Sequence, residues 1–96
     1  FSYPYYRNQA FCIGLGMTSK ELFLSFLAKK DDPNSGGRQM PQHFSHKKLG
    51  IVSQSSPTGT QYLQAVGASF ALKKKNDLSV AFVSSGEGTT SQGDFH

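Results

Sequence analysis

The chain has 96 residues, 36% of them apolar, with eight Phe, four Tyr, no Trp and a net charge of +4. That length admits one small domain whose modest core must lean on its aromatics. A single cysteine, Cys12, excludes an internal disulfide and fits a reducing compartment, no apolar run approaches the roughly 20 residues of a membrane span, and the start "FSYPYYRNQ" lacks the layout of a secretory leader.

Taken in chain order, Tyr6 to Ile13 reads as a helix ending at Gly14 and Gly16. "TSKE" then has the form of a capping box, with Thr18 as cap and Glu21 reaching back. Leu22, Phe23, Phe26 and Leu27 follow at helical spacing, so Ser19 to Lys29 is expected to be a helix packed on a core. Asp31 to Gly50, "DDPNSGGRQMPQHFSHKKLG", is dense in turn residues and reads as a loop. A loop of that length in a small domain points to function more than to disorder.

"GIVSQSSPTGTQ" passes from a short β-type run to Pro57, placed in the first turn of a helix that carries Tyr62, Leu63, Ala65, Val66, Phe70 and Leu72 to a lysine triplet. Leu78 to Ser85, "LSVAFVSS", is expected to be a buried strand, and "GEG" follows it directly. Helix, strand and glycine-rich loop in that order predict an α/β fold with a parallel sheet.

The chemistry-bearing stretches lie at these junctions. Gly86 and Gly88 let a ligand approach the backbone at the carboxyl edge of a sheet, and Glu87 between them is a hard oxygen donor suited to magnesium carrying phosphate. As three letters alone, "GEG" reads first as an ordinary turn with an exposed Glu. Ser55, Ser56, Thr58, Thr60 and Gln61 crowd oxygens around a helix start, where they suit an anion, a monovalent cation or a plain cap. Arg7 beside Tyr6 can fork onto a phosphate or lie on the surface. His43, His46 and His96 lack zinc-site spacing, no nucleophile–histidine arrangement can be argued from order, and Cys12 reads as a small buried hydrophobe. The clusters Lys29-Lys30, Lys47-Lys48 and Lys73-Lys74-Lys75 fit solvated surfaces, with a non-catalytic basic module for phosphate or nucleic acid as the alternative. That alternative lacks a nucleic-acid motif.

Together, "YPYYRNQAF", "DDPNSGGRQMPQHFS", "SSPTGTQ" and "FVSSGEGTTSQGDFH" resemble the alpha subunits of branched-chain 2-oxoacid dehydrogenases over nearly the whole chain. The "GGRQMP" loop and the Glu of "GEG" are nearer to these than to the pyruvate-type subunits. The resemblance implies the diphosphate-binding half of a three-layer α/β/α thiamine-diphosphate fold, with residues 1–96 part of that domain. It implies an enzyme that oxidatively decarboxylates branched 2-oxoacids and passes the acyl group to lipoamide. Its partners would be a beta subunit, which supplies the activating carboxylate, and a lipoyl acyltransferase core, with neither nucleic acid nor membrane. It would work in the bacterial cytoplasm or the mitochondrial matrix.

Carried over by position, Gly86, Glu87 and Gly88, with Thr89 after them, match the start of the family's thiamine motif. Glu87 would ligate magnesium. Tyr6 and Arg7 match a diphosphate-contacting pair, and Ser56 and Thr58 match positions beside the cofactor. Ser55, Pro57, Thr60 and Gln61 match a potassium site. Thr58 departs from the family pattern, which has an aliphatic residue there. The motif's closing Asn would lie past His96, and the chain does not begin with Met, so it is expected to be a piece of a longer one that is inactive by itself.

Overall fold

A computed structural model describes residues 1–96. Two short strands, β1 (Ser2–Tyr3) and β2 (Phe82–Val83), pair in parallel. Ile51 extends the ladder by an isolated parallel bridge to Ser2, and Val52 N donates to Ser2 O at 2.9 Å. The expected α/β fold with a parallel sheet is therefore present, together with the short β-type run at Ile51. The expected buried strand over Leu78 to Ser85 is not: only Phe82–Val83 is strand, and Leu78 and Val80 are 97% and 75% exposed. An apolar run signals a strand but does not supply the second layer that would bury it.

Helix α1 covers Gln9–Gly14 rather than starting at Tyr6. Tyr5 to Asn8 form a turn instead, closed by Asn8 N donating to Tyr5 O at 2.9 Å. Helix α2, Ser19–Phe26, opens on the expected capping box: Glu21 N donates to Thr18 Oγ1, and Thr18 N donates to Glu21 Oε2 at 2.7 Å. It stops short of Lys29 because Ala28 turns left-handed at φ 49°. Lys29 N then reaches back to Leu24 O, and Ala28 N to Ser25 O, a Schellman ending that satisfies two carbonyls. Phe23 and Phe26 of this helix are exposed, so it packs on the core by Leu22 alone among its expected apolar face.

Helix α3, Thr60–Lys74, starts after Gly59, whose φ of 101° makes the entry turn; Pro57 thus lies before the helix and not in its first turn. Buried Gln61, Ala65 and Leu72 share one face, while Leu63, Val66 and Phe70 stay exposed on others. Asn76, left-handed at φ 53°, ends it with a second Schellman pair, Asp77 N to Leu72 O and Asn76 N to Lys73 O.

The core is small: Cys12, Met17, Phe44 and Ile51, with Phe11, Leu22 and Leu49 around it. Cys12 is the buried hydrophobe its sequence context suggested, and burial pushes its thiol up to about 11. Phe44, 1% exposed, pins the long loop to this core.

The loop owes its order to side chains. Buried Asp32 accepts from Asn34 N and Nδ2 with one oxygen and from Ser35 N, Ser35 Oγ and Gly37 N with the other. Burial alone would raise its carboxyl, but the bonds from Asn34, Gly37 and Ser35 outweigh this and hold it below the usual aspartate value. Asn34, oriented by Asp32, turns its Oδ1 to Ser45 N at 2.8 Å and closes the loop across its neck. A 3-10 turn at Lys47–Leu49 then leads to Ile51.

Candidate cofactor cleft

A cleft of about 420 Å³ lies where the turn after β1, the segment before α3 and the turn after β2 meet. Eleven of the twelve residues singled out in the sequence line it: Tyr6, Arg7, Ser55, Ser56, Pro57, Thr58, Gln61, Gly86, Glu87, Gly88 and Thr89. The twelfth, Thr60, stands just behind, its hydroxyl bonded to Ser55 Oγ and, at 3.2 Å, to Pro57 O. Three stretches separated by most of the chain thus share one polar surface.

Each wall has its own support. Arg7 lies over the Tyr6 ring, with its guanidinium carbon 5.0 Å from the ring centroid. That contact presets the arginine without using any of its five N–H donors. The turn carrying both is fixed by Asn8, whose Oδ1 accepts from Tyr5 N at 2.9 Å and from Ser84 Oγ beyond β2. Gly86 faces this turn; a Cβ there would come within 3.7 Å of the Tyr5 ring and 3.9 Å of Arg7 Nη1. Glu87 opens a 3-10 turn over Glu87–Ser91, held by Thr89 N to Gly86 O at 3.1 Å, with Thr89 buried beneath.

The electrostatics are unusual for so small a surface. The one contact between a carboxylate and a basic side chain, Glu21 with His46 at 3.4 Å, lies outside the cleft lining. Arg7 and Glu87 therefore line the same cleft, both exposed and neither paired. An open carboxylate and an open guanidinium suit a ligand that brings both signs of charge, as a metal-bound phosphate does.

Among the oxygens proposed for a monovalent cation, Ser55 Oγ, Thr60 Oγ1 and Pro57 O converge, but the hydroxyls satisfy one another. Gln61 is directed elsewhere: its Oε1 accepts from Gly59 N at 3.2 Å and its Nε2 donates to Ser84 O at 3.2 Å. It braces the α3 entry against the strand that delivers Glu87. No cluster of three or more His, Cys, Asp or Glu is present. The lysine clusters lie outside the cleft lining.

Sequence reasoning missed two supports. Asn8 is one. Gln54 is the other, a buried amide that, turned to satisfy both neighbours, accepts from Tyr6 N and donates to Gln42 O, each at 3.2 Å. Asn8 also holds Ser84, and Gln54 holds Tyr6 and Gln42, and these partners are distant in sequence.

The family model for the dehydrogenase E1 component matches residues 1–96. The chain is 52% identical over 93 residues to the 2-oxoisovalerate dehydrogenase subunit alpha of Bacillus subtilis, covering 97% of this chain and 28% of that protein. It is 40% identical over 95 residues to the mitochondrial subunit alpha 1 of Arabidopsis thaliana, covering 97% and 20%. It is 44% identical over 77 residues to the mitochondrial subunit alpha of Mus musculus, covering 79% and 17%. The chain thus spans well under a third of the length of these relatives, and with its whole length inside the matching model it belongs to the dehydrogenase E1 component family.

Proposed function

We propose that this chain is the diphosphate-holding portion of a branched-chain 2-oxoacid dehydrogenase alpha subunit. The carrying observation is Glu87, flanked by Gly86 and Gly88, sharing one cleft with an unpaired Arg7. The donor set fits magnesium thiamine diphosphate: a single carboxylate suffices for magnesium that keeps waters and phosphate oxygens, and Arg7 offers a fork to the phosphate. Thiamine diphosphate, when bound, supplies the nucleophilic carbon and the electron sink for decarboxylation.

The chain's own residues do the holding. Glu87 fixes the metal, and the backbone at Gly86 and Gly88 admits the ligand closely. Tyr6, stacked under Arg7, keeps the guanidinium extended toward the cleft. Ser56, Thr58 and Thr89 add rim and floor contacts. Potassium is assigned to Ser55, Pro57 and Thr60, whose oxygens already converge, with the Gln61 amide bracing the site. The complete enzyme, with a beta subunit and a lipoyl acyltransferase, decarboxylates a branched 2-oxoacid and transfers the acyl group to lipoamide. Its compartment is the bacterial cytoplasm or the mitochondrial matrix; the relatives come from a bacterium and, by its name, from a mitochondrion.

The test is calorimetric titration of thiamine diphosphate at fixed magnesium into the full alpha–beta enzyme. Glu87→Ala should weaken cofactor and magnesium together, by tenfold or more. Unchanged affinity would remove Glu87 from the site and the reading with it.

A further inference from the structure

His43 stands outside the cleft lining, yet it holds a residue that is part of it. Its Nε2 lies 2.9 Å from Ser56 Oγ, and Ser56 is on the cleft rim. Its other nitrogen, Nδ1, lies 3.3 Å from Pro41 O. A carbonyl oxygen only accepts, so Nδ1 carries the ring proton there. In the neutral ring Nε2 is then an acceptor, and the Ser56 hydroxyl must donate to it. The hydroxyl's only proton is thereby drawn away from the cleft, and its lone pairs are left facing the ligand.

The loop is built to deliver this contact. Phe44, next in sequence, is buried in the core and accepts at its carbonyl from Gln54 N at 3.0 Å. Gln42, on the other side, is left-handed at φ 67°, a conformation a non-glycine residue keeps only where its surroundings hold it. Gln54 supplies that hold through Gln42 O while its oxygen takes Tyr6 N. His43 is therefore clamped between two fixed neighbours and aimed at Ser56.

We propose that His43 is a positioning residue that fixes the Ser56 hydroxyl as a hydrogen-bond acceptor toward the cofactor cleft. This rests on the cofactor reading above. The rim position at Ser56 then recognises a donor, such as a water bound to magnesium or an N–H of the ligand, and not a bare phosphate oxygen.

Substitution at His43 separates this role from mere packing. Gln reaches as far as Nε2 and its Oε1 can accept from Ser56; Asn reaches only as far as Nδ1. Titration of magnesium thiamine diphosphate into the full alpha–beta enzyme should show affinity lowered five- to twentyfold by His43→Ala and by His43→Asn. His43→Gln should stay within about threefold of wild type. Ser56→Ala combined with His43→Ala should be no weaker than Ser56→Ala alone, because residues acting through one contact are not additive. Asn and Gln behaving alike, a full-strength Ala variant, or additive losses in the double variant would each overturn the proposal. A wild-type enzyme that does not bind the cofactor would instead overturn the cofactor reading, and this inference with it.

Discussion

Replacing Asp32 by Asn tests whether one buried carboxylate organises the long loop. The side chain is 5% exposed and receives five hydrogen bonds, two on one oxygen and three on the other. Asn keeps the shape but turns one acceptor into an NH2 donor. Whichever way the amide rotates, at least two donors then face another donor, and the charge that strengthened every bond is gone. A buried donor left unsatisfied costs about 1–3 kcal/mol, so relaxation of the loop should leave a local loss near 3 kcal/mol. At about 1.4 kcal/mol per factor of ten, amides of Ser35 and Gly37 should exchange roughly a hundredfold faster.

Hydrogen exchange with mass spectrometry on the full subunit in its assembled enzyme reads this directly. The change should spread to Ser45, because Asn34 Oδ1 loses the orientation Asp32 imposes. Protection should also depend on pH in the wild type. The folded carboxyl lies below its ordinary value, so its stabilisation is complete above that value and is lost as pH falls through the lowered one. Exchange at Ser35 and Gly37 unchanged within threefold in Asp32→Asn would refute the reasoning.

Gly37→Ala should destabilise the subunit by at least about 2 kcal/mol, seen as a lower denaturant midpoint, because its φ is +75° and a Cβ would sit 2.5 Å from the Ala28 carbonyl; an unchanged midpoint would contradict the loop geometry. Thr58→Leu should bind the cofactor at least as well as wild type by calorimetry, since the family's residue there is aliphatic; a large loss would reveal a polar contact by Thr58. Cys12, fully buried with its thiol raised to about 11, should resist thiol reagents at pH 8 until the chain unfolds, and rapid labelling of folded enzyme would count against its burial.

The parts of the molecule legible in sequence are those written in neighbouring residues. Thr18 and Glu21 announce a helix start three residues apart, and the structure places the cap there. Gly86 to Thr89 and Ser55 to Thr58 stood out only through the family resemblance, since their composition alone allowed a plain turn and an ordinary cap, and the fold brings them together with Tyr6 and Arg7. What failed was decided by groups elsewhere in the chain. Tyr6 to Ile13 was mixed enough in apolar content to read as one helix, but Asn8 spends its side chain on Tyr5 and Ser84 and makes a turn. Leu78 and Val80 look like core, but nothing in the chain covers them. Helix α2 was expected to pack by Phe23 and Phe26, and both are exposed. Gln54 gave no signal because its partners, Tyr6 and Gln42, lie far from it in the chain.

The pairing of β1 with β2 also dictates an order of events in making the protein. Phe82 N donates to Phe1 O at 2.8 Å and Ser84 N to Tyr3 O at 3.2 Å, so contacts at one edge of the sheet join residues near opposite ends of the chain. Closing a segment of that length costs about 4 kcal/mol of chain entropy before those bonds repay any of it. Contacts of such sequence separation form slowly, and on the ribosome they must wait until the second strand has emerged. Arg7 is synthesised well before Glu87, so the local helices between them can form early while the two charges meet late. A ligand that bridges them then binds only the completed arrangement, and its binding free energy adds to the stability of the step that was slowest to occur.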